Sequence, residues 1–124
     1  MRTTVTVNPC IDLTVRVPGR RMGELNLVDD SRTDICGKGV NVSVVLRALG
    51  MATIATGISF DGDDARLAEH LEAHTICRRF AVAHGNIRTN IKLVDEETGA
   101  MTEINHRGHS VGQPVINQYL RELR

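Results

Sequence analysis

An α/β fold built on a parallel sheet is the class this sequence predicts, and three observations carry the prediction. β-branched runs and segments at helical spacing alternate along the chain, turn residues separate them, and the length of 124 residues suits one small domain. Parallel strands are covered by helices on both faces. With so few helical segments such a sheet is thinly covered, so further polypeptide, covalent or from a partner, is expected to complete it.

Thr3 to Val7 alternates polar and apolar residues, and Asp12 to Val17 repeats the pattern after the turn-like Asn8-Pro9. Two short strands with a break between them are therefore predicted. Pro18-Gly19 ends the second strand, and Gly23 to Asp34 is a polar stretch with a weakly extended centre at Leu25 to Val28, to which no firm element is assigned. Gly37-Lys38-Gly39 then leads into Val40 to Leu49, apolar nearly all round and closed by Gly50, which predicts a buried helix with a glycine-rich entrance. Ala52 to Ile58 reads as an apolar strand, and Asp63 or Asp64 as the cap of a helix that turns Leu67, Leu71 and Ala68 inward. Ile76 to Val82 and Asn86 to Val94 follow as strands, Asp95 to Gly99 as a hairpin loop, and Met101 to Asn105 as the returning strand. Val115, Ile116, Tyr119, Leu120 and Leu123 repeat at helical spacing to the end of the chain.

Composition excludes several function classes. Fifteen basic and fifteen acidic side chains cancel, so no global field draws the protein onto nucleic acid or an anionic membrane. Phe60, Phe80 and Tyr119 are too few and too scattered for a base-stacking platform. The start has no apolar segment of the secretory kind and no run approaches bilayer-spanning length, which makes a cytoplasmic protein the expectation. Cys10, Cys36 and Cys77 are odd in number and far apart, and are expected as reduced thiols rather than a disulfide framework or zinc ribbon.

Chemistry-bearing residues gather at a few positions. Gly37 and Gly39 flank Lys38 directly before a helix, either as a plain tight strand-to-helix connection, the commoner case, or as a site where free backbone amides and the dipole favour an anion or closely approaching sugar hydroxyls. The segment is not a P-loop, because Val40 stands where a magnesium-binding Ser or Thr would follow the Lys. Asp12 and Asn41 add groups of the kind that chelate vicinal hydroxyls, although an isolated Asp at a strand start is more often a solvated turn residue. Arg88, Asn90 and Lys92 alternate in one strand and project from one face, a receptor for phosphate or an ordinary solvated face. Glu103 and Asn105 repeat that spacing, so a cross-strand pair between Glu103 and Arg88 or Lys92 is an equal alternative. His70 and His74, four apart on a helix, lack a third ligand, and Asp61-Gly62-Asp63-Asp64 lacks the calcium-loop spacing; both read as surface features.

Taken together, the segments Val7 to Asp12, Gly23 to Val28, Gly37 to Val42, Arg88 to Lys92 and Thr102 to Asn105 resemble, in order and spacing, the phosphofructokinase B family within the ribokinase-like fold. The Gly-Glu-Leu-Asn-Leu-Val stretch favours the 1-phosphofructokinase type, with tagatose-6-phosphate kinases next. The resemblance covers essentially all of residues 1–124 and implies the amino-terminal substrate-binding and lid portion of a kinase domain: a partial parallel sheet with flanking helices plus β lid strands. It implies ATP-dependent transfer, with magnesium, to fructose 1-phosphate, giving fructose 1,6-bisphosphate.

Residue by residue, the resemblance implies that Asp12 and Asn41 hold sugar hydroxyls, that the Gly37, Lys38 and Gly39 backbone lines the sugar, and that Lys38 and Arg88 engage its phosphate. Asn90, Lys92 and Glu103 would belong to the lid, which in many relatives mediates dimer contacts, so a homodimer through lid strands is expected. The family's Gly-Ala-Gly-Asp segment, with its catalytic Asp and anion hole, has no counterpart here. No catalytic, cofactor-binding or metal residue is therefore assigned, and neither ATP nor magnesium is expected to bind this chain alone. Arg107, where relatives often carry Pro, is a cation near the expected phosphate or a surface charge. Two other readings stand beside a truncated kinase. One is a non-catalytic module that binds a sugar phosphate or pairs with a full-length kinase; the other, more remote, is a dinucleotide-binding oxidoreductase, for which the first turn lacks GxGxxG.

Overall fold

The Asn8-Pro9 break divides the strands between two sheets. In the computed structural model, which describes residues 1–123, β1 (Arg2–Thr6) precedes the break and β2 (Cys10–Val17) follows it. The remaining elements are β3 (Asp30–Cys36), α1 (Lys38–Ala48), β4 (Thr53–Phe60), α2 (Asp64–Ala73), β5 (Cys77–Ala83), β6 (Arg88–Asp95), β7 (Met101–Asn105) and α3 (Gln113–Glu122). One sheet has the order β1-β4-β5 and is wholly parallel. The other has the order β3-β2-β6-β7, with β2 and β6 parallel and each outer strand antiparallel to its neighbour.

The parallel sheet is covered by α1 on one face and α3 on the other, and the hydrogen bonds show why. Thr4 Oγ1 meets Ser43 Oγ of α1 at 2.7 Å, whereas Thr56, paired with Val5 and so on the opposite face, meets Tyr119 Oη of α3 at 3.0 Å. Between and beside these layers lies the core, which includes Val40, Ala55, Ile58, Phe60, Leu67, Leu71, Phe80 and Tyr119. Gly50 follows α1 as expected, and a proline stands in the first turn of α3. No helix among the described residues is long and apolar enough to cross a membrane.

Three expectations are corrected. The polar stretch Gly23 to Asp34, given no firm element, runs into β3: the extended residues are Asp30–Cys36 rather than Leu25 to Val28. β3 is an edge strand whose first four residues are exposed, so it never needed apolar alternation. Helix α1 is not buried all round: Gly39, Val40 and Ser43 are buried, while Val42, Val45 and Leu49 are exposed, because only one of its faces meets β1 and β4. Asp63 precedes α2 but does not cap it through its side chain; Asp63 Oδ2 instead accepts the Ile87 N–H at 2.8 Å. Together with Asp61, which accepts the Gly85 N–H, it anchors the turn into β6.

Candidate functional site

Glycine fixes the corner where the two sheets meet. A Cβ on Gly39 would lie 2.3 Å from the Val5 carbonyl oxygen, so only glycine lets α1 begin this close to β1. Gly37, with φ +155°, would drive a Cβ to 2.6 Å from Thr6 Cγ2. Thr6 Oγ1 in turn accepts the Val40 N–H at 2.9 Å, and Gly37 O accepts the Asn41 N–H at 2.8 Å. Neither the Lys38 nor the Gly39 amide has a hydrogen-bond partner among the described residues, and both belong to the positive end of the helix.

A cavity of about 500 Å³ opens at this corner. Val5 to Asn8 of the β1 end and the break, Cys10 and Asp12 of β2, and Cys36 at the end of β3 line one part of it; Gly37, Lys38 and Asn41 line another. Its remaining wall is the mixed sheet, through Arg88, Asn90 and Lys92 of β6 and Glu103 and Asn105 of β7. The register accounts for this convergence: Asp12 pairs with Asn90 across β2 and β6, Asn90 with Asn105 and Lys92 with Glu103 across β6 and β7. Of the residues singled out in the sequence, Asp12, Gly37, Lys38, Asn41, Arg88 and Asn90 are thus brought together. Gly39 does not line the cavity; it is buried against β1 and shapes the corner instead.

Asp12 is the electrostatic centre of the cavity, with a side chain only 15% exposed and Lys92 Nζ at 3.2 Å from Oδ2. Burial works to raise its pKa, but hydrogen bonds from Cys36, Lys92 and Cys10 and the Lys92 charge outweigh burial and hold it below the ordinary carboxylate value. The same hydrogen bond and the Asp12 charge hold the Lys92 ammonium above its ordinary value. The cross-strand alternative therefore resolves toward Asp12: Lys92 bonds Asp12, and Glu103 acts on it only as a nearby charge.

Arg88 is placed differently from a free phosphate clamp. Its Nη1 donates to His106 O at 3.0 Å and its Nη2 to Asn8 O at 3.5 Å, which ties β6 to the break and to the loop after β7. Its Nε is buried without a partner, as is Asn90 Oδ1. Arg107 lies beside Arg88 in a smaller cavity of about 250 Å³ with His106, Gly108 and His109.

Cys10, Cys36 and Thr6 were not legible as site residues, because thiols and a threonine carry no motif and reach the site only through strand pairing. Outside the cavity, the His70 and His74 rings lie 4.8 Å apart and His74 Nδ1 bonds its own helix at His70 O. No three His, Cys, Asp or Glu side chains among the described residues gather as a metal site.

Comparison with known proteins gives this geometry a family. The pfkB family carbohydrate kinase profile matches residues 2–113. The 1-phosphofructokinase of Rhodobacter capsulatus is 36% identical over 109 residues, which are 88% of this chain and 34% of that protein. That of Vibrio cholerae is 34% identical over 98% of this chain and 38% of its own length. The chain thus spans little more than a third of the curated relatives it matches. Among solved structures, a possible 1-phosphofructokinase of Thermotoga maritima superposes with a TM-score of 0.84 at 31% identity, covering 98% of this chain and 39% of that one. Phosphofructokinase-2 of Escherichia coli, in complex with fructose 6-phosphate, shares the fold at a TM-score of 0.88 and 17% identity over 98% of this chain and 40% of its own. A nucleoside kinase of the ribokinase family from Methanocaldococcus jannaschii shares it at 0.68 and 13% identity, over 87% and 38%. The mixed α/β architecture therefore matches the amino-terminal part of ribokinase-like kinases, and the chain belongs to the pfkB family of carbohydrate kinases.

Proposed function

We propose that this chain is the sugar-phosphate-binding and lid portion, residues 1–124, of a 1-phosphofructokinase-type kinase, and that its cavity takes fructose 1-phosphate or a related ketose phosphate. The observation that carries the reading is the convergence of Asp12, Asn41 and Asn90 with Lys38, Arg88 and Lys92 around one cavity. A polyol with one anionic group complements that set. Its hydroxyls donate to Asp12, and its phosphate meets Lys38 and the positive end of α1 beside the Arg88 guanidinium. Relatives named 1-phosphofructokinase support the choice of substrate class.

In the reaction of such kinases, ATP supplies the phosphoryl group, and positioning with charge stabilisation supplies nearly all of the catalysis. This chain's part is positioning. Asp12, oriented by Lys92, fixes the hydroxyl pattern of the sugar; Gly37 and Gly39 let the helix start approach it closely; the mixed sheet walls it from water. The family resemblance puts the ATP site and the catalytic Asp of such kinases in a Gly-Ala-Gly-Asp segment that residues 1–124 do not contain. The chain alone is accordingly expected to bind sugar phosphate without turning it over. The open lid sheet, with Ile104 exposed on β7, is the surface through which pairing with a second copy is proposed.

Thermal unfolding of the 124-residue chain with fructose 1-phosphate, tagatose 6-phosphate or magnesium ATP, beside a coupled kinase assay, tests the reading. A cooperative transition raised by a sugar phosphate and not by ATP, without turnover, is the expected result. A transition that no sugar phosphate moves would remove the binding claim, and turnover would remove the assignment of catalysis to residues outside this chain.

A further inference from the structure

Cys10 and Cys36 are directly opposite each other on antiparallel strands. Residues so paired project from the same face, and both line the candidate cavity. Directly opposed Cα atoms are about 4.5 or 5.5 Å apart according to their place in the ladder, and both spacings fall within the range of about 4.4–6.8 Å that a disulfide bridges. Cys10 opens β2 just after Pro9, and Cys36 closes β3 just before Gly37. Cys77 is different: it is exposed, on β5, in the other sheet.

We propose that Cys10 and Cys36 form a dithiol modification site, in which two-electron oxidation by hydrogen peroxide or a small-molecule disulfide links the two sulfurs and disables the Asp12 end of the cavity. With peroxide, both S–H bonds and the O–O bond break, one S–S bond forms, and the two electrons and two thiol protons leave in two molecules of water. Cys10 Sγ donates to Asp12 Oδ1 at 3.7 Å, and a disulfide has no proton to donate. Oxidation would therefore leave Asp12 with Lys92 but without thiol donors. Burial and the neighbouring carboxylate keep both thiols protonated, with Cys36 pushed up to about 12. The thiolate is the attacking species, so the reaction is slow at neutral pH, accelerates as pH rises, and leaves a bond that a dithiol reverses.

The effect on ligand rests on the sugar-phosphate reading; the cross-link does not. The full chain carrying C77S is treated with hydrogen peroxide, and intact mass, peptide mapping and fructose 1-phosphate titration are followed before and after dithiothreitol. The expected result is loss of two hydrogens located to the Cys10 and Cys36 peptides, affinity weakened by about tenfold or more, and recovery of both on reduction, with C36S blocking the mass change. Unlinked thiols, separately oxidised sulfurs or cross-links between chains would overturn the site. A cross-link that leaves affinity unchanged would overturn its effect on the cavity. A reduced chain that binds no sugar phosphate would overturn the ligand assignment, and the mass measurement would still decide the cross-link.

Discussion

Lys92 and Asp12 stand on neighbouring parallel strands and meet at 3.2 Å inside the cavity, with the carboxylate nearly buried and the ammonium one-third exposed. Asp12 is depressed and Lys92 raised, so each ionised form is favoured by the folded state. For Asp12 the stabilisation is present above its unfolded value of about 3.9 and is lost as pH falls through the lower folded value. For Lys92 it is present below about 10.4 and is lost as pH rises through the higher folded value. K92M is therefore expected to destabilise the chain by about 1–2 kcal/mol near neutrality, between the figures for exposed and buried pairs. Its stability should converge on that of the parent at both pH extremes, as read by urea unfolding across pH.

Arg88 carries two burdens, the ligand and the loop. R88A should weaken fructose 1-phosphate binding by about 1.5–3 kcal/mol, measured by calorimetry, through loss of a charge-assisted hydrogen bond. It should also lower the unfolding midpoint in the absence of ligand, because the carbonyls of His106 and Asn8 lose their donor. An unchanged affinity would take Arg88 out of the ligand's reach.

Gly39 and Gly50 separate close approach from backbone conformation. G39A places a methyl against a β1 carbonyl that cannot rotate away, and should cost about 1–3 kcal/mol or shift α1 from its place. G50A meets open space but adopts φ +83°, and should cost about 1 kcal/mol. Denaturant midpoints of the two variants decide the order.

Tyr119 is the buried anchor of α3, and its hydroxyl shares Thr56 with the Thr4 carbonyl. Y119F keeps the packing and leaves Thr56 one partner, so a loss of about 0.5–1.5 kcal/mol is expected in chemical denaturation. A larger loss would indicate that α3 is held chiefly through this bond.

Elements that obey local rules were legible in the sequence. The strands around the Asn8-Pro9 break, the helix behind Gly37 to Gly39 and the hairpin of β6 and β7 stand within a few residues of their expected positions. β3 was not legible, because an exposed edge strand such as Asp30–Cys36 is made by pairing with β2, and its sequence carries no apolar period. The Gly-Lys-Gly turn and the Arg88, Asn90, Lys92 alternation announced polar chemistry, but their meeting at Asp12 depends on β2 and β6 being parallel neighbours. Which partner Lys92 chooses, and that Arg88 spends its terminal nitrogens on carbonyls, are facts of tertiary distance.

The central claim is that Asp12 reads the hydroxyls of a phosphorylated sugar. Calorimetric titration of fructose 1-phosphate into the full chain, beside D12N and with inorganic phosphate as competitor, tests it most directly. The account predicts saturable binding that phosphate displaces weakly and that D12N weakens by about tenfold to a hundredfold. Equal affinity of D12N and its parent, or binding of phosphate as tight as that of the sugar phosphate, would contradict it.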